Sequence, residues 1–208
     1  MTIDFNDKQI DILNIAEKLF AEKGFDGTSI RSISKEAKIN IAMVSYYFGS
    51  KEKLLEQLIF FRTQDLKMRL EHLFDESLTP IQKIEKFIAL YIERIDHNRD
   101  MYQILHFEIS SKKRTLDLEV FKEVKKANLN TLTKIIEEGQ TQDIFRKNII
   151  IPLITPSILG TYFHFHTNKT FFEEILNLDS QEKYDAYIKN ELTKHIQHTI
   201  KSLLLYEI

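Results

Sequence analysis

Apolar residues recur along this chain at spacings of three and four, the period of an α-helix rather than of a strand. Between Asp7 and Lys23, Leu13, Ala16 and Phe20 fall on one helical face, flanked by Ile12 and Leu19. Gly24 stands where a C-terminal glycine closes a helix, and the break Phe25-Asp26-Gly27 leads to Thr28, a suitable N-cap. Ile30, Ile33 and Ala37 predict a short second helix. Lys38-Ile39 then makes a turn, and Asn40 caps a third helix, Ile41 to Phe48, that turns Val44 and Phe48 inward. Gly49 ends it, and Ser50 caps a longer fourth helix carrying Leu55, Leu58, Ile59, Leu66, Leu70 and Leu73.

The pattern continues to the end of the chain. Thr79-Pro80-Ile81-Gln82 combines a cap, a proline at the first helical position and a capping glutamine, ahead of Ile84, Ile88, Tyr91 and Ile95. Met101 to Ile109 reads as a short apolar helix, and Leu116 to Glu138 as a longer one with Gly139 past its end. Thr155-Pro156 starts a helix through Phe165. Asp179-Ser180-Gln181-Glu182 introduces a last one carrying Tyr184, Ile188, Leu192, Ile196, Ile200 and Leu203. The expected fold is all-α, with about nine helices and no sheet. A natural boundary falls near the fourth helix, dividing residues 1–50 from residues 51–208.

Composition sharpens this reading. The 208 residues include 5 Gly, 3 Pro and no Cys. That leaves little room for the tight turns of a sandwich or barrel, and it excludes disulfides, thiolate metal sites and cysteine nucleophiles. The N-terminus has neither a basic nor an apolar leader region, and the run Ile149–Ile154 is too short to span a bilayer, so a cytoplasmic location is expected. A net charge of −2 means that nucleic-acid binding must come from local placement of charge.

That placement is uneven. Residues 1–27 carry six acids and three bases, whereas residues 28–53 carry five bases (Arg31, Lys35, Lys38, Lys51, Lys53) and two acids. The basic stretch coincides with two short helices at helix-turn-helix spacing. The second of them presents Ala42, Met43, Ser45, Tyr46 and Tyr47 outward or to the side, with no charge among them. Such a face suits close approach to base edges in a major groove.

The run from Phe20 to Ala37, FAEKGFDGTSIRSISKEA, resembles the N-terminal signature of the TetR family of bacterial transcriptional regulators. So does Tyr46-Tyr47-Phe48-Gly49-Ser50-Lys51-Glu52-Lys53-Leu54. The likeness covers roughly the first 55 residues, with its motif blocks in order. It implies a homodimeric repressor that binds a near-palindromic operator through an N-terminal three-helix domain. A C-terminal helical domain would bind a small molecule and dimerise through the last two helices. By position, the resemblance gives Thr28 a phosphate contact, with Ser29 and Arg31 beside it. Ala42, Met43, Ser45 and Tyr46 would face the groove, Tyr47 would meet the backbone and Lys51 a phosphate. Two departures are visible: Lys38 where the family often has Gly in the turn, and Ser45 where it often has Tyr.

Other constellations are weaker. Glu191, His195 and His198 could share a helix face as metal ligands, although a solvated face is the ordinary reading. Met101, Tyr102, His106, Phe107 and Phe121 form an aromatic-rich set, and Tyr162 lies in another with Phe163, His164, Phe165, His166, Phe171 and Phe172. Both suit core or interface more often than a ligand pocket; Met101, Tyr102, His106, Phe107, Phe121 and Tyr162 are the ligand candidates. No nucleophile elbow, phosphate-binding glycine loop or His-Glu-x-x-His is present, so neither an enzyme nor a cofactor is expected. The alternative is a helical protein that does not bind DNA and whose C-terminal domain binds metal or carries out catalysis. Finally, the apolar stripe from Tyr184 to Leu203 predicts a dimer seam.

Overall fold

The computed structural model describes residues 4–75, 77–113 and 116–206, apart from the side chains of residues 64–69, 71, 74 and 75. Among the described residues there are eleven α-helices: α1 (Asp7–Gly27), α2 (Ile30–Glu36), α3 (Ile41–Phe48), α4 (Lys51–Asp75), α5 (Pro80–His97), α6 (Arg99–Ser111), α7 (Glu119–Thr141), α8 (Ile154–Thr167), α9 (Lys169–Ile175), α10 (Gln181–Tyr187) and α11 (Thr193–Leu204). A 3-10 turn (Ile151–Leu153) precedes α8, and a π-helical segment (Ile188–Leu192) joins α10 to α11. The all-α expectation holds, and the extended pairing among these residues is a single bridge between Phe145 and Leu205.

The chain forms two compact units. One contains the chain up to Asp65 and then His97–Val124; the other contains Leu66–Asp96 and the chain from Lys125 onward. The first unit therefore extends past residue 50, because the first half of α4 and all of α6 contribute to its core. Leu13, Ala16 and Phe20 of α1 close over Ile33 of α2 and Val44 of α3, with Leu55 and Leu58 of α4 and Met101, Ile104 and Leu105 of α6. Asn6 and Gln9 form a reciprocal capping box at the start of α1. Gly24 takes φ +71° and breaks the helix, as its position in the sequence suggested. Arg62 of α4 reaches back to α1, donating to Glu17 at 2.5 Å and Asn14 at 2.7 Å.

In the second unit Phe87, Ile88, Ile92 and Ile95 of α5, Leu132, Ile135 and Ile136 of α7, Ile158 and Phe165 of α8, and Tyr184, Ile188, Ile196 and Ile200 near the end of the chain are all buried. Lys83 of α5 and Glu138 of α7 form a nearly buried ion pair at 2.9 Å. Tyr162 of α8 is fully buried and donates its hydroxyl proton to Asp96 at 2.8 Å. The Phe165 ring packs on Phe172 at 4.7 Å and on Tyr184 at 5.5 Å, so the aromatic run serves as core between α8, α9 and α10. The side chain of Leu66, expected on the inward stripe of α4, lies outside the described residues.

The expected helices are present, with α9 added after the break at Asn168, and α10, the π-helical segment and α11 run on as the expected last helix. Two expectations need correction. Gly139 lies inside α7 rather than past its end, because the Phe145 ring packs where a side chain would be. The stripe of the last helix is also already covered within the chain: Tyr184, Ile188, Leu192, Ile196 and Ile200 are all buried. That stripe therefore gives no argument for a dimer.

Helix ends carry a left-handed residue other than glycine at four places: Lys38, Lys112, Asp143 and Asn177, with φ of 53°, 50°, 54° and 55°. Lys38, Asp143 and Asn177 sit between the paired backbone bonds of a Schellman motif, for example Lys38 N–H to Lys35 C=O and Ile39 N–H to Ser34 C=O.

Candidate nucleic-acid interface

The candidate surface is built from α3 upward. The Asn40 side chain accepts from the Ala42 amide at 2.9 Å, which fixes the start of the helix. Val44 and Phe48 are buried in the first unit, which sets the rotation of α3. Ala42, Met43, Ser45 and Tyr46 consequently all lie exposed, with Tyr46 84% accessible. Tyr47 is half-buried, with its ring edge-on to Tyr46 at 5.4 Å and to Phe48 at 6.3 Å. Ser29 and Arg31 are exposed at the start of α2. Ser29 is the N-cap there, in a reciprocal box with Ser32 (both bonds 3.0 Å).

Two expected phosphate ligands are placed differently. Thr28 is only 1% exposed, because α2 starts one residue later than the sequence suggested. Its hydroxyl donates inward to the carbonyls of Leu19 and Gly24, both at 2.9 Å, so it offers nothing to a phosphate. Lys51 turns its ammonium onto the same structure. Nζ lies 2.8 Å from the carbonyl oxygens of both Phe25 and Thr28, and 4.2 Å from the centre of the Phe25 ring. Together Thr28, Lys51 and Phe25 form a latch that ties the end of α1 and the approach to α2 to the first turn of α4. The role of Phe25 as its floor was not legible beforehand, because a cation over a ring leaves no spacing signal.

The turn between α2 and α3 keeps the left-handed conformation at Lys38 despite the lack of glycine there. Lys35 and Lys38 are both exposed on either side of it. Lys38→Gly is expected to raise stability by about 0.5–1 kcal/mol, the left-handed penalty less the extra chain entropy of glycine. It should also weaken DNA binding on any sequence and flatten the salt dependence, because it removes a cation beside α3. Urea unfolding and salt-dependent DNA titration measure the two effects separately. A flatter salt slope with no gain in stability would contradict the strain argument.

The ligand candidates do not form one set. Met101 is buried in the core of the first unit, with Tyr102 and Phe121 packed half-buried against that core. His106 and Phe107 are exposed, Phe107 at 55%. Tyr162 belongs to the second unit. Glu191, His195 and His198 are exposed, and Glu191 lies 3.9 Å from Lys194. No group of three His, Asp or Glu among the described residues is placed to hold a metal ion. Nor is any described helix long and apolar enough to cross a membrane.

Residues 12–58 match the model for bacterial regulatory proteins of the tetR family, and residues 80–200 match that for the tetracyclin repressor-like C-terminal domain. The HTH-type transcriptional repressor NicS of Pseudomonas putida is 30% identical over 83% of this chain and 82% of its own. The solved structure of HlyIIR, a hemolysin II transcriptional regulator, aligns with a TM-score of 0.58 at 27% identity, covering 96% of this chain and 98% of that one. That of the transcriptional regulator FadR from Bacillus subtilis in complex with stearoyl-CoA shares the fold, with a TM-score of 0.61 at 20% identity, covering 90% and 96%.

Proposed function

This chain belongs to the TetR family of bacterial transcriptional regulators, and we propose that it is a cytoplasmic repressor that binds a near-palindromic operator as a homodimer and releases it on binding a small molecule. The observation that carries this reading is the exposed, uncharged face of α3 (Ala42, Met43, Ser45, Tyr46), rigidly rotated by its buried side and flanked by Arg31, Lys35 and Lys38. Charge beside the helix attracts phosphates, and the small uncharged face allows the backbone to approach base edges. Residues 1–50 would supply the DNA-reading head and residues 51–208 the effector site and dimer contacts. A metal-binding or enzymatic second unit finds no comparable support.

The test begins with the chromosomal sites bound by the protein and continues with titration of one such duplex and a scrambled one at several salt concentrations. Substitutions at Ala42 or Ser45 should change the preferred base by ~1–3 kcal/mol per affected pair and leave the salt slope nearly unchanged. Binding that neither depends on salt nor discriminates between the duplexes would refute the reading.

A different surface suits a dimer contact. The outward side of α8 carries Pro156, Ser157, Gly160, Thr161 and His164, all exposed, and a side chain added at Gly160 would meet nothing within 4 Å. The outward side of α11 carries His195, His198, Thr199, Ser202 and Leu203. These low-relief faces suit close packing of helices from a second copy around a two-fold axis. Gly160→Glu should leave the protomer folded and shift sedimentation from dimer to monomer at micromolar concentration, with loss of operator binding. Because Gly160 faces open space within the protomer, an unchanged dimer would exclude this face. Deleting residues 180–208 is a poorer test, since it removes Tyr184, Ile188, Ile196 and Ile200 from the core.

A further inference from the structure

Among the described residues, one buried polar side chain of the second unit has incomplete bonding. Asn128 of α7 is 4% exposed, and its amide oxygen is the buried side-chain atom without a hydrogen-bond partner among the described residues. Its amide nitrogen donates to the hydroxyl oxygen of Tyr91 on α5 at 3.3 Å. Among the described residues that is the hydrogen bond Tyr91 makes, and its own proton has no acceptor there. Burial pushes the Tyr91 hydroxyl above the usual tyrosine range, which keeps that proton in place as a donor. An unpaired acceptor and an unengaged donor therefore lie together. They are set among apolar groups: Phe87 packs on Tyr91 at 5.2 Å between ring centres, and Phe87, Ile88 and Leu132, one turn away along α5 or α7, are fully buried.

Leaving such groups unpaired in an apolar interior is costly, so the arrangement calls for a partner. The chemistry of that partner is constrained. A carbonyl or carboxylate could accept from Tyr91 but would set its lone pairs against those of Asn128. An ammonium could donate to Asn128 but would leave the Tyr91 proton unpaired. A hydroxyl does both. With the amide of Asn128 turned over, Tyr91 would donate to its oxygen and the amide N–H would be the unpaired group, which a hydroxyl again satisfies by accepting from Asn128 while donating to the Tyr91 oxygen.

We propose that Tyr91 and Asn128 anchor the neutral hydroxyl of an otherwise apolar effector, an alcohol or phenol, in the second unit. This rests on the reading of the protein as an effector-responsive regulator and names the chemical class of its ligand. Neither residue belongs to the set expected from the aromatic clusters, because an unpaired amide oxygen leaves no mark in a sequence.

The experiment compares three probes with the same apolar body, 4-tert-butylphenol, 4-tert-butylanisole and 4-tert-butylbenzoate, by calorimetric titration of the full chain. The phenol should bind about tenfold or more tightly than the methyl ether or the carboxylate, as for a hydrogen bond made in a buried site. Tyr91→Phe and Asn128→Leu should each abolish that advantage. Asn128→Leu should in addition raise the melting temperature of the free protein. Equal affinity for phenol and ether, no binding of the phenol, or an advantage that survives Asn128→Leu would overturn the assignment. Operator binding by the wild type is measured in parallel. If it is absent while the phenol preference holds, the regulatory reading fails and the site stands; the reverse outcome removes the site alone.

Discussion

Replacing Lys51 by methionine should destabilise the protein by about 2–4 kcal/mol and weaken binding to cognate and random DNA alike. Methionine keeps the length and much of the apolar stem, so the loss isolates the ammonium. That group donates to two backbone carbonyls, and bonds to a charged donor contribute about 1.5–3 kcal/mol each, less here because the side chain is only half-buried. Its position over the Phe25 ring adds a smaller attraction. Removing it frees the segment between α1 and α2, and with it the alignment of α3. A lysine has three N–H donors, and two are engaged here, so one remains for a phosphate. The two roles separate experimentally. A residue that served phosphate alone would leave urea unfolding unchanged and lower the salt slope by about one unit per subunit. The latch instead predicts a lower unfolding midpoint in the absence of DNA. An unaltered midpoint would show that the two carbonyls are well served without Lys51.

Gly139→Ala should cost about 2 kcal/mol or more, although alanine is ordinarily the better helix former by about 1 kcal/mol. A Cβ built at this position falls 2.1 Å from the Phe145 ring. That ring is fully buried, and the segment that bears it is pinned by the bridge to Leu205 and by the Arg146 amide donating to Leu204 at 2.9 Å. The ring therefore cannot move aside without disturbing the last turn of α11. The double variant with Phe145→Ala tests the cause. Phe145→Ala alone should cost about 3–5 kcal/mol, and in its background Gly139→Ala should become neutral or stabilising. If the two losses simply add, the close approach of ring and backbone is not what Gly139 provides.

Thermal or urea unfolding measures both predictions. They also mark where sequence reasoning reached and where it stopped. The helices of the first 50 residues were legible because their caps and inward positions agree: Asn40 caps α3, and Val44 and Phe48 face inward as the spacing required. The error at Thr28 was one residue in the start of a helix. Thr28-Ser29 offers two hydroxyls in a row, and only the contacts of the end of α1 decide which one caps α2. That single step moved Thr28 from a surface position to the interior. Gly139 misled for a related reason. Glycine is the usual residue just past a helix end, yet here Asp143 takes that place and the glycine makes room for a ring 6 positions away in sequence. Long-range packing of this kind leaves no periodicity to read. α9 was missed because an aromatic-rich run looks equally like core or loop until Asn168 is seen to break it.

The π-helical segment at Ile188–Leu192 has a consequence for the length of the chain. Tyr184, Ile188, Leu192, Ile196, Ile200 and Leu204 repeat every four residues, whereas an α-helix turns once in 3.6, so each step would carry the stripe about 40° further around. The wide turn holds one residue more than an α-turn and brings the later part of the stripe back into phase. A one-residue deletion ordinarily rotates everything beyond it in a helix by about 100°. At the exposed Asn190 the wide turn would instead close to an ordinary one, and Ile196, Ile200 and Leu204 would keep their places. The same deletion a turn later, at the exposed His198, would send Ile200 and Leu204 out of the core. The final helix thus has a turn where the chain can lose a residue without losing its core.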